Sequence, residues 1–202
     1  MNSHRMGSIV HFRGVGDGGV EAAGTPLGGL MARFTGTYVN KVDKKGRVSV
    51  PAPFRTTLEA LAPAVKPEDL VVKPDGSVVK PPLIVNLKPT PDRHALDGVT
   101  EAYMDEVQRR LDAMDLYSPE REALEIREFS ETEHLQIDSD GRIILPRQMM
   151  EMAGITENAA FMGMGSRFQI WEPEALKAHQ QARLAASRDM TLARAGANGG
   201  AA

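Results

Sequence analysis

Apolar and polar residues alternate from Phe34 to Val42, break at Asp43-Lys44-Lys45-Gly46, and resume alternating through Arg47 to Val50, which predicts two strands joined by a tight turn, a hairpin. Pro51 ends the second strand and opens a helix over Ala52 to Leu61, because a proline in a first helical turn forfeits no hydrogen bond. Phe54, Leu58 and Leu61 fall on one face of that helix. The same succession returns later in the chain. His134 to Ile137 and Arg142 to Leu145 read as strands, Pro146 opens a short helix carrying Met149, Met150 and Ala153, and Gly154 supplies a left-handed stop. A further hairpin is predicted from Ala160 to Met164, a Gly165-Ser166 turn, and Phe168 to Trp171.

The recurrence is explicit in the residues. Asp43-Lys44-Lys45-Gly46-Arg47-Val48-Ser49-Val50-Pro51 is echoed 95 positions on by Asp138-Ser139-Asp140-Gly141-Arg142-Ile143-Ile144-Leu145-Pro146. Asp, Gly, Arg and Pro are identical, and Val42, Val48 and Val50 answer Ile137, Ile143 and Leu145. Agreement at fixed offsets indicates a duplicated supersecondary unit.

The middle of the chain has a different period. Thr100 can cap a helix on which Met104, Val107, Leu111 and Met114 recur at spacings of three and four, and Ser118-Pro119 can begin another bearing Leu124 and Phe129. Between Leu70 and Leu96, short β-rich runs (Leu70-Val71-Val72, Val78-Val79, Leu83 to Leu87) are interrupted by Pro74, Pro81, Pro82, Pro89 and Pro91, so irregular or edge strands are expected. Pro173 should start a last helix toward Met190, with a frayed Ala/Gly tail. Residues 1–30 have scattered glycines and no periodicity and read as a disordered leader, with Met31 the expected natural start; the intact mass of native protein checks this. The expected organisation is leader 1–30, first unit 31–98, helical connector 99–130, second unit 131–172, and C-terminal helix and tail 173–202.

Composition changes this picture in two places. The absence of cysteine excludes disulfides and thiolate metal sites and fits a reducing cytosol, while no run approaches the ~18 apolar residues of a membrane span. The net charge of -3 conceals a strong polarity. From Asn40 to Arg55 the cations Lys41, Lys44, Lys45, Arg47 and Arg55 face Asp43 alone, whereas from Glu101 to Glu133 eleven carboxylates face four arginines. A polyanion responds to the local basic patch, not to the average.

The duplicated D-x-x-G-R-h-x-h-P motif (h, apolar), the helical connector and the run Phe168-Gln169-Ile170-Trp171-Glu172-Pro173 resemble the MraZ family of bacterial transcriptional regulators, built from two AbrB-like units; the likeness spans about residues 31–185. The resemblance implies an α+β fold in which two pseudo-repeated β-hairpin/helix units form one swapped-hairpin β-barrel. It also implies a homo-oligomeric ring that binds double-stranded DNA at direct repeats upstream of division and cell-wall genes, in the cytoplasm and on the nucleoid. Carried over by motif, DNA binding falls on Lys45 and Arg47, with Lys41 and Lys44 beside them and Arg142 as the matching arginine of the second unit. The second turn carries Asp140 where the first has Lys45, so the first unit is expected to read DNA and the second mainly to complete the barrel. The segment from Leu70 to Pro91 is longer and richer in proline than the family's usual one.

The physical basis for such a role is direct. A two-stranded β-ribbon fits the major groove, an arginine at its tip can fork two hydrogen bonds onto guanine, and flanking lysines neutralise phosphates. The competing reading of an Asp-x-x-Gly-Arg turn is structural, with Arg47 paired to Asp43 and the lysines a solvated face; for Arg142 that reading is preferred. Met149, Met150, Met152, Met162 and Met164 read as core and interface filling, and Phe168 and Trp171 as packing residues. Enzymatic function is not expected: His4, His11, His94, His134 and His179 show no ligand spacing, and no cofactor, metal or small-molecule substrate is implied. Asp138 to Gly141 fails as a calcium loop because its twelfth position would be Arg147, and Gly14 to Gly18 lacks the strand and helix of a nucleotide loop. The alternative function is a ring-forming interaction scaffold that docks a protein partner on the acidic helices from Glu101 to Glu133.

Overall fold

A computed structural model of the chain describes residues 32–64 and 70–198, apart from Lys73, Asp75, Ser77 and Lys80. The leader expected at 1–30 and the end of the tail lie outside the described residues. The elements run β1 (Thr37–Lys41), β2 (Arg47–Ser49), α1 (Ala52–Leu61), β3 (Val71–Val72), β4 (Val78–Val79), β5 (Ile84–Pro89), β6 (Leu96–Val99), α2 (Glu101–Asp112), α3 (Pro119–Glu125), a π-helical turn (Ile126–Ser130), β7 (Glu133–Gln136), β8 (Arg142–Ile144), α4 (Arg147–Met152), β9 (Asn158–Gly163), β10 (Phe168–Trp171) and α5 (Pro173–Asn198). The class is α+β.

Six strands form one antiparallel sheet in the order β1-β9-β10-β6-β5-β7, and β2 and β8 form a separate two-stranded ribbon. The outermost strand at each edge comes from the other half of the chain: β1 lies on β9, and β7 lies on β5. Among the described residues these hydrogen bonds leave the sheet open, with β1 and β7 as its edges.

The motif at residues 34–50 does not make the simple hairpin its alternation suggests. After a single bridge between Val42 and Val48 the two arms part, β1 to β9 and β2 to β8. An isolated hairpin is marginal in water, and pairing each short arm with the other half of the chain gives both a hydrophobic partner. The hairpin of β9 and β10 forms as its sequence indicates, with Gly165 at φ 76° in the turn.

The proline-rich middle is corrected more sharply. Ile84–Pro89, expected at an edge, is an interior strand bonded to β6 on one side and β7 on the other. Its proline does no harm because it stands at the last position of the strand, where a ladder bond is least needed. Leu96–Val99 joins the middle of the sheet between β5 and β10, although Asp97 and Gly98 argue against a strand on composition. Packing overrides propensity here. Asp97 Oδ1 accepts from Gln169 Nε2 at 3.0 Å and Arg167 Nε at 3.1 Å, and the Phe168 ring lies on Gly98 so closely that a Cβ there would sit 2.3 Å from Cζ.

The core lies on one side of the sheet, where Phe34, Phe54, Phe161 and Phe168 meet at ring separations of 5.1 to 6.4 Å, joined by Val48, Val50, Leu58, Ile143 and Leu145. α1 and α4 enclose this side. A smaller cluster of Ala95, Ala160, Trp171 and Leu176 forms where α5 crosses the other face. Phe168, Trp171 and Met149 are buried as expected, but Met164 stays at the surface. The connector is capped as its sequence indicates, with Thr100 and Ser118 accepting from Tyr103 N and Arg121 N, although Phe129 falls in the π-helical turn and not in a continued α-helix.

Replacing Gly98 by alanine should overpack the centre of the sheet and lower stability by about 1–3 kcal/mol in chemical denaturation. A loss below about 0.5 kcal/mol would contradict the close approach of Phe168.

Candidate nucleic-acid interface

Each turn is built around its aspartate. Asp43 Oδ1 accepts the backbone N–H of Lys45 at 2.8 Å and of Arg47 at 2.9 Å, while the Gly46 N–H donates to the Asp43 carbonyl at 2.9 Å. Gly46 takes φ 77°, a left-handed conformation that strains a residue bearing a Cβ, and a Cβ would also lie 2.9 Å from the Leu145 carbonyl oxygen. The second turn repeats the scheme: Asp138 Oδ1 accepts from Asp140 N and Arg142 N, both at 2.9 Å, and Gly141 stands at φ 75°.

The arginines differ in what holds them. Arg47 Nε donates back to Asp43 Oδ2 at 2.7 Å, which fixes the root of the guanidinium group while 41% of the side chain remains exposed. Arg142 instead reaches Asp140 through Nη1 at 3.1 Å, a carboxylate whose counterpart in the first turn is Lys45. The N–H groups that Asp43 accepts hold its carboxyl below the usual aspartate range, the Arg47 backbone N–H most of all.

The ribbon decides which way these residues face. Arg47 pairs with Ile144, Val48 with Ile143 and Ser49 with Arg142, and bonds from Leu145 N to the Gly46 carbonyl and from Val50 N to the Gly141 carbonyl, both 2.9 Å, continue the ladder at its two ends. Because side chains alternate, Val48, Ile143 and their like-facing neighbours Val50 and Leu145 all point into the core. Arg47, Ser49, Arg142 and Ile144 therefore share the outer face. The two arginines are diagonal cross-strand neighbours, which sets their Cα atoms about 7–8 Å apart.

Of the residues singled out from sequence, Lys44 and Lys45 are exposed on the first turn, Arg47 is half-exposed at its end, and Lys41 is exposed at the end of β1 opposite Asn158. Arg142 lies on the same ribbon face as Arg47, a proximity that separation by 95 positions hides. Arg55, part of the basic run in sequence, is turned to structural work: Nη1 donates to the Val50 carbonyl at 2.6 Å, and its side chain lies over Gly141, where a Cβ would come within 2.8 Å of it. Met150 lies over Gly46 in the same way. Each helix thus braces the turn of the other motif. Sequence reasoning missed Ile144, an isoleucine left 60% exposed directly opposite Arg47; the alternation that buries Ile143 was the available signal.

The acidic connector is partly self-neutralised. Glu106 pairs with Arg109 and Arg110, and Arg121 pairs with Asp112 at 3.3 Å and Glu125 at 2.7 Å. Beneath it a cavity of about 180 Å³ is lined by Lys88, Asp97, Tyr103, Arg127, Glu128 and Arg167 among others. Lys88 is buried there against Glu128, and burial pushes its ammonium below the usual lysine range. Among the described residues no group of three or more His, Asp or Glu is placed to hold a metal ion, and no helix is long and apolar enough to cross a membrane.

Known proteins are similar to this chain over most of its length. The profile of the family described as "MraZ protein, putative antitoxin-like" matches residues 129–197. The transcriptional regulator MraZ of Parvibaculum lavamentivorans is 38% identical over 148 residues, which cover 73% of this chain and 81% of that protein. Those of Gluconacetobacter diazotrophicus (34% over 172 residues; 85% of this chain, 99% of the relative) and Xanthobacter autotrophicus (37% over 149 residues; 74% and 83%) are similar to it as well.

Because its pKa is depressed in the folded protein, Asp43 should support the turn above the ordinary aspartate value of 3.8, with that support lost as pH falls through the lower folded value. Carboxyl NMR titration should place Asp43 below 3.8 and, in Arg47→Ala, should shift it only part of the way back, since the backbone N–H that dominates is retained. An Asp43 pKa at or above 3.8 in the unmodified protein would contradict the turn geometry.

Proposed function

This chain belongs to the MraZ family of transcriptional regulators, and on that footing we propose that it binds double-stranded DNA through the outer face of the β2–β8 ribbon and the basic turn beside it. The observation that carries the reading is Arg47: half-exposed at the end of a lysine-bearing turn, it is anchored through Nε, and its two Nη groups are the donors suited to a fork on guanine O6 and N7. Lys44, Lys45 and Lys41 surround it with cations for phosphates. Arg142 takes a lesser part, because Asp140, itself exposed, brings a carboxylate to any phosphate approaching that turn.

The same reading extends to architecture. The two motifs act as swapped half-barrels: the strand order is palindromic, with β1, β5 and β6 of the first unit answered by β7, β9 and β10 of the second, and the ribbon is continuous in chain with both sheet edges. Several chains associate as a homo-oligomeric ring, so that individually weak contacts reinforce one another on direct DNA repeats through effective concentration. The boxes lie upstream of division and cell-wall genes, and the protein works in the cytoplasm at the nucleoid. The family is one of regulators and not of enzymes, and the internal ion pairing of the acidic connector gives the protein-scaffold alternative no specific support.

Gel-shift titration on DNA upstream of the protein's own gene tests the proposal. Arg47→Ala should abolish preference for that duplex over a scrambled one while the mass of the assembly is unchanged. Lys44→Ala should weaken binding to all duplexes alike and flatten the log K versus log salt slope by about 0.9. Unchanged affinity and selectivity in the Arg47 variant would overturn the proposal in favour of a scaffold.

A further inference from the structure

The outer face of the ribbon holds one residue for which charge recognition has no use. Ile144 is 60% exposed and stands directly across from Arg47. A solitary exposed apolar side chain needs no explanation on an ordinary surface. Its placement here is more specific. The ladder bonds flank this pair without joining it, running from Leu145 N to the Gly46 carbonyl on one side, so Arg47 and Ile144 form a non-hydrogen-bonded pair, the kind in which Cα atoms are about 4.5 Å apart and side chains lie closest. The other outward pair, Arg142 with Ser49, has a small polar residue in the corresponding place.

We propose that Ile144 is a specificity-determining residue that reads the C5 methyl group of a thymine beside the guanine taken by Arg47. This rests on the DNA-binding reading of the ribbon and adds to it a base whose identity is sensed by apolar contact. The geometry favours it in two ways. A side chain lying beside the root of Arg47 meets the groove floor within one or two base steps of the arginine's target, steps being about 3.4 Å apart. In the major groove the thymine methyl is the apolar feature that distinguishes base pairs, and a branched aliphatic group is its complement. The asymmetry between Ile144 and Ser49 then makes the two arginines inequivalent readers: Arg47 is paired with a methyl sensor, Arg142 is not.

The test alters the DNA, so it does not depend on how a variant folds. Duplex from upstream of the protein's own gene is prepared with each thymine in turn replaced by deoxyuridine, which removes only the C5 methyl, and binding by the full chain is followed by fluorescence anisotropy. One replacement within about two base steps of the guanine protected by Arg47 should cost roughly three- to fivefold in affinity, the scale of one buried methyl group. Ile144→Ala should lose a similar factor on the unmodified duplex, keep the assembly mass, and be indifferent to that same replacement. The proposal is overturned if no single deoxyuridine weakens binding, if Ile144→Ala retains the full penalty, or if the variant instead changes the assembly. Sequence-preferring binding that needs Arg47 but ignores every thymine methyl would remove the role of Ile144 alone; no sequence preference in the unmodified protein would remove the DNA reading with it.

Discussion

The register between β2 and β8 is the constraint on which the rest of the molecule depends. These strands are three residues each, and neither has a long partner in its own motif. Pairing them across the chain puts Val48 opposite Ile143, each 1% exposed, and so fixes by parity that Arg47, Ser49, Arg142 and Ile144 face outward. A slip of one residue on β2 would bring Arg47 toward the phenylalanine core and Val48 to solvent. The cost of burying an unpaired guanidinium group makes that arrangement inaccessible. Hydrophobic burial and presentation of the cations are therefore two results of one alternation.

The turns convert that register into a defined surface. With Gly46 and Gly141 in the left-handed region, each turn can bring its carbonyl close enough to receive a bond from the strand opposite, and the aspartate at its start gathers the backbone N–H groups that would otherwise point at solvent. Arg55 lying over Gly141 and Met150 lying over Gly46 tie each helix to the other motif. The interchange also accounts for a division of labour among the cations. Arg55 braces the acidic turn, which leaves Lys44, Lys45 and Arg47 as the charges displayed by the basic one.

Much of this was legible in the residues because local rules and global packing agree. The two turns, the proline-opened helices, the capped connector and the β9–β10 hairpin follow from alternation, glycine and proline placement, and capping residues, with boundaries shifted by a residue or two, except that the last helix continues past Met190 to Asn198. What could not be read were facts created only by distant partners. Leu96–Val99 contains Asp97 and Gly98, poor strand formers alone, yet Gln169, Arg167 and the Phe168 ring make each the residue that fits. Ile84–Pro89 was disguised by its proline, harmless at the strand end. The parting of the first hairpin, the nearness of Arg47 to Arg142, and the exposure of Ile144 all stem from pairing across the chain, which no local pattern encodes. The structural reading of Arg47 holds, since Nε is bound to Asp43, yet that bond leaves the side chain half exposed and so is compatible with the proposed contact to DNA.

Sequence and fold thus converge on a ribbon whose inner face holds the two halves of the chain together and whose outer face carries the cations proposed to meet the double helix. Hydrogen exchange of the full chain, read by mass spectrometry with and without duplex from upstream of its own gene, tests this most directly. The account predicts DNA-dependent protection concentrated in residues 41–49 and 138–144, with the connector from Glu101 to Ser130 unchanged. Protection confined to that connector, with the ribbon exchanging as it does in the free protein, would contradict it.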